Sequence, residues 1–272
     1  MPIIERASGE RGVSVEVRVS GTPAEVWDAI ATGPGISSWF VDTDFESVDG
    51  MPRRMRNDFG PGMQSVSEIT SWDPPRAFTS NSADLGADAP LVHTKWSVEP
   101  SADGGCTVRV DHAVRTDRRD WDAHLAAWEG GWPAFFHLLQ LRLEHFRGLP
   151  SASCQFSAVA ELDAEHAWAR LASDLGVEGI AEGDAFRAAG EAPPLAGCVA
   201  RASEARERVL LLETPTPGLA HVFAMPTGAR SSLWLRLNLF DPQAAERLEH
   251  ERAAWRDWLE RTVSAPTPGS PS

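Results

Sequence analysis

The sequence is poor in cysteine. Cys106, Cys154 and Cys198 are the only three in 272 residues, and they lie far apart with no CxxC pair. That pattern excludes a disulfide framework and a zinc site, and it suits a reducing cytoplasm. A long apolar run is missing as well. No stretch approaches the ~20 residues that a membrane span needs, and the opening "MPIIERASGERG" has no signal-peptide core. A cytoplasmic location, no membrane contact and no cofactor are therefore expected. Positive charge is also short: the formal net charge is −14, Lys95 is the sole lysine, and the 24 arginines are dispersed. A nucleic-acid backbone or an anionic bilayer would be repelled. Catalytic signatures are absent too. Without GxSxG, a P-loop, GxGxxG after a strand or HExxH, hydrolase, nucleotide, dinucleotide and zinc-peptidase chemistry lack their marks.

Tyrosine is absent altogether, so the aromatic surface comes from 11 Trp and 11 Phe. Seven of the Trp fall before residue 133, which concentrates large apolar surface in the front half. The hydrophobic fraction of 42% and charged fraction of 24% are those of a globular protein, and the length suits one large domain or two ordinary ones.

Residues 13–19, "VSVEVRV", alternate strictly and predict a strand with Val13, Val15, Val17 and Val19 on its buried face. Thr22 is placed to cap the next helix, with Pro23 at its first position and Glu25 in its first turn. Gly33-Pro34-Gly35 ends that helix, and Trp39 and Phe40 follow at once. Turn signals at Asp49-Gly50, Gly60-Pro61-Gly62, Asp73-Pro74-Pro75 and Asp103-Gly104-Gly105 then punctuate a run of strands. The last closes a hairpin between "LVHTKWSVE" and "CTVRVDHAV". Its apolar faces hold Thr94, Trp96 and Val98 on one strand and Val108, Val110, His112 and Val114 on the other. His112 should therefore point inward, and His93 and Lys95 outward. "RTDRRD", residues 115–120, reads as a solvated loop.

From Trp121 a stripe of Leu125, Trp128, Trp132, Phe135, Leu139, Leu143 and Phe146 recurs at helical spacing. Gly130-Gly131 and Pro133 should kink that helix near Gly130. "GLPSAS" then reads as a linker. Shifting the sequence by 141 residues brings Val13, Val15, Val17 and Val19 onto Cys154, Phe156, Ala158 and Ala160. The same shift takes Thr22 to Asp163, Trp27 to Trp168 and Ile30 to Leu171. Near the end, alternating Leu233, Leu235, Leu237 and Leu239 precede a helix with Leu248, Trp255, Trp258 and Leu259. The second half thus repeats the first in a shorter, less aromatic form. The expected boundaries are 1–148 and 153–264, with 265–272 a disordered tail.

The stretches "TPAEVWDAIATGPGISSWF", "DFGPGMQSVSEITSWDPPRAF", "HTKWSVEP…GGCTVRVDHA" and "GW…FFHLLQLRLEHF" follow one another in a recognisable order. Over residues 13–147 they resemble the SRPBCC (START/Bet v-like) superfamily, and within it the branch named after the activator of Hsp90 ATPase homologue. The second half resembles this fold only through the internal repeat. The resemblance implies an α+β helix-grip fold, a curved antiparallel sheet around a long C-terminal helix, here duplicated in tandem. It also implies an apolar cavity for a small molecule. The tandem arrangement is similar to that of two-domain aromatase/cyclases of polyketide pathways.

The side chains expected between sheet and helix are Trp39, Phe40, Phe59, Met63, Trp72, Trp96, His112, Trp128, Trp132 and Phe136. Trp offers a flat apolar face with one N–H donor, as a binder of flat guests requires, although such residues most often simply fill a core. His112 is the one titratable group placed inward, a weak candidate for a general base. Glu68 is a possible second polar group whose direction its strand leaves open. His124, His137 and His145 are spaced too widely for a metal site and read as helix-surface residues. The leading expectation is a protein that binds a small hydrophobic or aromatic ligand in its first domain without catalysis. The alternatives are a polyketide cyclase/aromatase-like or hydratase-like enzyme using the same cavity, and a co-chaperone-like protein-interaction module.

Overall fold

The computed structural model describes residues 4–5, 9–83, 89–102, 104–116, 121–202 and 205–264. The expected disordered tail and most of the "RTDRRD" run lie outside the described residues. The chain divides into two compact units, Met1–Arg147 and Gly148–Ser272.

In the first unit β1 (Ile4–Glu5) and β2 (Glu10–Ser20) lead into α1 (Pro23–Ala31) and α2 (Gly33–Ser37). A meander follows: β3 (Asp42–Val48), β4 (Met51–Asp58), β5 (Gln64–Asp73), β6 (Ala77–Ser82), β7 (Val92–Pro100) and β8 (Gly105–Arg115). The long helix α3 (Asp122–His145) closes the unit. The sheet order is β1-β2-β8-β7-β6-β5-β4-β3, all neighbours antiparallel. The first long strand therefore pairs with the last, and α3 packs back on β2.

Local chemistry explains the entry to this fold. Thr22 and Glu25 form a capping box: the Thr22 hydroxyl accepts from the Glu25 amide at 3.3 Å, and the Glu25 carboxylate accepts from the Thr22 amide at 2.8 Å. The break after α1 is tight because Gly35 lies against the last turn. A Cβ there would stand 1.9 Å from the Asp28 carbonyl oxygen. Thr32 then caps α2, accepting from the Gly35 amide at 3.0 Å. Trp39 follows with no exposed surface, its indole N–H donating to the Ala29 carbonyl at 2.9 Å. The connection thus seats α2 against α1, and the tryptophan locks it.

The second unit runs β9 (Ala152–Ala160), α4 (Ala164–Asp174), β10 (Ala185–Arg187), β11 (Ala196–Arg201), β12 (Glu207–Thr214), β13 (Gly218–Thr227), β14 (Arg230–Leu239) and α5 (Ala244–Ser264). Its sheet order, β10-β11-β12-β13-β14-β9, again pairs first long strand with last, and α5 packs on β9. The 141-residue repeat is visible side chain by side chain. Cys154, Phe156 and Ala160 are buried, Asp163 caps α4 by accepting from the Glu165 and His166 amides, and Ile30 and Leu171 are both fully buried. This core is mainly aliphatic, with Leu233, Leu235, Leu237 and Leu239 inward against Leu248, Trp255, Trp258 and Leu259. The fold is α+β, two helix-grip units in tandem.

Candidate functional site

The register of the first sheet sets one row of side chains. Val13 pairs with His112, His112 with Thr94, Val110 with Trp96, Trp96 with Phe78, and Phe78 with Trp72. His112 therefore faces α3 as alternation demands, while Lys95 is exposed and His93 bonds sideways to Asn81 at 2.9 Å. From α3, Trp128, Trp132, Phe135 and Phe136 descend onto this row.

The rings form one connected array. Trp72 meets Trp27, Phe45 and Phe78 at 5.1–5.8 Å between centroids. Phe78 stacks on Trp96 at 6.2 Å, and Trp96 contacts Trp39 and Phe136, each at 6.3 Å, and Trp132 at 5.2 Å. Phe40 touches Phe59 at 5.7 Å and Phe135 at 4.6 Å. Trp132 lies nearly parallel to two rings, Phe40 at 5.4 Å and 17° and His112 at 5.7 Å and 22°. The far end continues through Trp128 to Trp121. The space beneath Trp96 is thus occupied, and Trp132 is the ring that occupies it.

His112 is held at both nitrogens. The Trp132 indole N–H donates to Nε2 at 3.0 Å, and Nδ1 lies 3.0 Å from the Thr94 hydroxyl. Because an indole N–H can only donate, Nε2 must carry the lone pair. The proton then sits on Nδ1 and is donated to Thr94. Burial pushes the imidazole down to a pKa of about 4, with Asp111 opposing weakly, so the ring is neutral at physiological pH. Among the described residues no carboxylate hydrogen-bonds to His112. Glu68, the other polar candidate, is exposed on the outer face and lies 3.8 Å from Arg54. Its direction was obscured by the register shift between Ile69 and Ser71.

Nine of the ten expected side chains join this array, with Phe59, Trp72, His112 and Trp128 half-buried at its margins and the others buried. Met63, expected between sheet and helix, is the exception: it is 46% exposed. The reason is the tight Gly60-Pro61-Gly62 turn, closed by Phe59 N–H to Met63 C=O at 3.0 Å, which leaves Met63 on the loop's outside. Sequence reading missed Thr94 as the His112 partner, and Trp27, Phe45, Phe78, Trp121 and Phe135 as array members. Phe78 was detectable, since it sits opposite Trp96 in a strand pair. His124 and His145 are exposed and His137 is half-buried on α3. A separate open depression of about 460 Å³ is lined by Glu46, Val48, Arg53, Arg54, Glu68 and Ile69, none of which belongs to the array.

Among the described residues no group of three His, Cys, Asp or Glu side chains is placed to hold a metal, and no helix is long and apolar enough to cross a membrane. Cys106, Cys154 and Cys198 are free thiols.

A curved antiparallel sheet closed by a long helix, with an aromatic interior between them, defines the helix-grip class. Residues 10–136 match the family model described as polyketide cyclase / dehydrase and lipid transport, and the first unit is of the SRPBCC type. Solved structures similar to the chain include the di-domain ARO/CYC BexL from the BE-7585A biosynthetic pathway (13% identity, 94% of this chain and 100% of that one, TM-score 0.44). Another is DynU16 from the dynemicin biosynthetic locus (21% identity, 93% and 96%, TM-score 0.41). A third is the Aha1 dimer from Colwellia psychrerythraea, similar over 49% of this chain and 96% of that one at 19% identity and a TM-score of 0.40. None of the curated proteins matches the chain.

Proposed function

We propose that the first unit binds a small, flat, hydrophobic or aromatic molecule between its sheet and α3, and does so without catalysing a reaction on it. The observation that supports this reading is the connected aromatic interior between sheet and helix, in which the Trp132 ring lies near-parallel to Phe40 and to His112. Rings in such offset stacks gain about 0.5–1.5 kcal/mol each beyond the area they bury, so a flat guest is favoured over a flexible chain of the same size. The non-catalytic half of the reading rests on His112. Its proton is committed to Thr94 and its lone pair to Trp132. A general base needs that lone pair free and directed at substrate. The free thiols fit work in a reducing compartment, the cytoplasm.

The test is native mass spectrometry of gently purified protein, followed by tryptophan-fluorescence titration with naphthalene derivatives. A co-purifying small molecule, or saturable quenching lost in Phe40→Ala, is the expected result. Absence of both a bound species and any saturable quenching would overturn the reading.

A further inference from the structure

We propose that the open depression at the β3–β4–β5 end of the first sheet binds a small organic oxyanion, a carboxylate or phosphate on a short apolar body, through Arg53 and Arg54. This site is separate from the aromatic interior and goes beyond the reading above. Three observations meet here. First, two strands break their ladders to build it. Glu46 pairs with Arg54 and Ser47 with Pro52, so Arg53 is the extra residue of a β-bulge in β4. Beside it β5 passes over Thr70, since Ile69 pairs with Ser80 and Ser71 with Thr79. Successive side chains of a regular strand point to opposite faces, yet Arg53 and Arg54 both line the depression of about 460 Å³. The bulge re-aims one of them, and bulges are over-represented where a side chain must be turned toward a site.

Second, the guanidinium groups have donors to spare. Among the described residues Arg53 makes no hydrogen bond or ion pair. Arg54 lies 3.9 Å from Glu46 and 3.8 Å from Glu68, beyond hydrogen-bond length. Glu46 has a nearer partner in Arg56, at 3.2 Å. Three arginines thus face two carboxylates, and an oxyanion can bridge the adjacent forks of Arg53 and Arg54. In a chain of net charge −14 this is a local reversal of sign. Third, aliphatic surface borders the charges. Val48 is 55% exposed and Ile69 half-buried in the same lining. Asp49 and Gly50, with φ of 52° and 74°, make the tight hairpin turn that holds Val48 beside β4. A bare ion would leave that wall wet, whereas a short apolar body covers it.

The experiment titrates phenyl phosphate, benzoate and uncharged benzamide into the wild-type chain, Arg53→Ala and Glu68→Gln, and follows backbone amide resonances by NMR. Wild type is expected to bind one or both anions about tenfold or more tighter than benzamide, with shifts centred on Val48, Arg53 and Ile69. The tighter of the two anions tells a phosphate site from a carboxylate site. Arg53→Ala is expected to erase the preference for charge. Glu68→Gln removes a competing negative charge from the rim and should tighten anion binding about twofold or more. Lack of preference for either anion, a preference that survives Arg53→Ala, weaker binding in Glu68→Gln, or shifts centred on Trp132 instead overturns the inference. None of the lining residues belongs to the aromatic array, so each of those outcomes leaves the interior reading to its own naphthalene titration. Arg53 is exposed and outside the ladder, so its truncation spares the fold, and Glu68→Gln gives a gain that a damaged fold would not.

Discussion

Trp27 and Trp168 hold the same place in their two units, five residues after the helix cap, yet they meet different partners. Trp27 lies edge-on to Trp72 at 5.1 Å, whereas Trp168 lies under the Arg208 guanidinium at 5.3 Å. The repeat has kept the position and exchanged an aromatic neighbour for a cation. Burial pushes the Arg208 pKa down, so the ring face is part of what makes its charge tolerable there. Trp168 is 8% exposed and Trp27 is half-buried. Trp168→Ala is therefore expected to cost about 3–5 kcal/mol and Trp27→Ala about 1–3 kcal/mol. Urea unfolding of each variant checks the order, and an equal or reversed cost would contradict this account of Trp168.

Gly35 and Gly130 make opposite predictions. A Cβ on Gly35 would sit 1.9 Å from the Asp28 carbonyl oxygen and 2.7 Å from the Thr32 hydroxyl. The nearer atom is backbone and cannot turn aside. Gly35→Ala should cost about 3 kcal/mol or more and reduce the yield of folded protein. Gly130→Ala meets no neighbour within 4 Å and should instead stabilise by up to about 1 kcal/mol through helix propensity. Thermal unfolding of both variants side by side is the measurement.

Much of this architecture can be read from residue order, and the limits of that reading have physical causes. Strict alternation in β7 and β8 sets which face each residue takes, so the inward His112 and outward Lys95 follow from one register. The shifted repeat locates the Asp163 cap and Trp168 because a cap and a ring at fixed spacing survive loss of identity. Helical spacing places Trp132 on the inner side of α3, but it does not reveal a rotamer, and only the rotamer puts the indole N–H on His112. Met63 was misplaced and the direction of Glu68 stayed open for local reasons, a tight turn in one case and a register shift in the other. Neither leaves a periodic trace.

The pH dependence of stability should carry the signature of His112. Its folded pKa, about 4, lies below the ordinary imidazole value of 6.5. The unfolded chain therefore binds the proton more readily. The contribution is fully present above pH 6.5 and is lost as pH falls from there through 4, by up to about 3 kcal/mol. His112→Phe removes the titration, so the stability difference between wild type and variant should change across pH 4–7 and be constant above it. Chemical denaturation at several pH values tests this. A difference that stays flat over the whole range would show that His112 is not held neutral by its site.

In the second unit Asp174, at the end of α4, accepts from two groups of α5 with one carboxylate oxygen: the Trp258 indole N–H at 3.2 Å and the Thr262 hydroxyl at 3.1 Å. Trp258 is 1% exposed, so its N–H has no access to water if that oxygen is lost. Asp174→Ala should destabilise by about 1–3 kcal/mol, chiefly by stranding the buried donor. Asp174→Asn retains an acceptor oxygen and should recover much of the loss. Thr262→Val should cost less, because the Thr262 hydroxyl also reaches the Trp258 carbonyl at 3.1 Å and leaves no donor behind when removed. The decisive comparison is a double-mutant cycle of Asp174→Ala with Trp258→Phe, which removes donor and acceptor together. A coupling of about 1 kcal/mol or more is expected for groups that bond directly, and additivity would mean that packing alone joins α4 to α5.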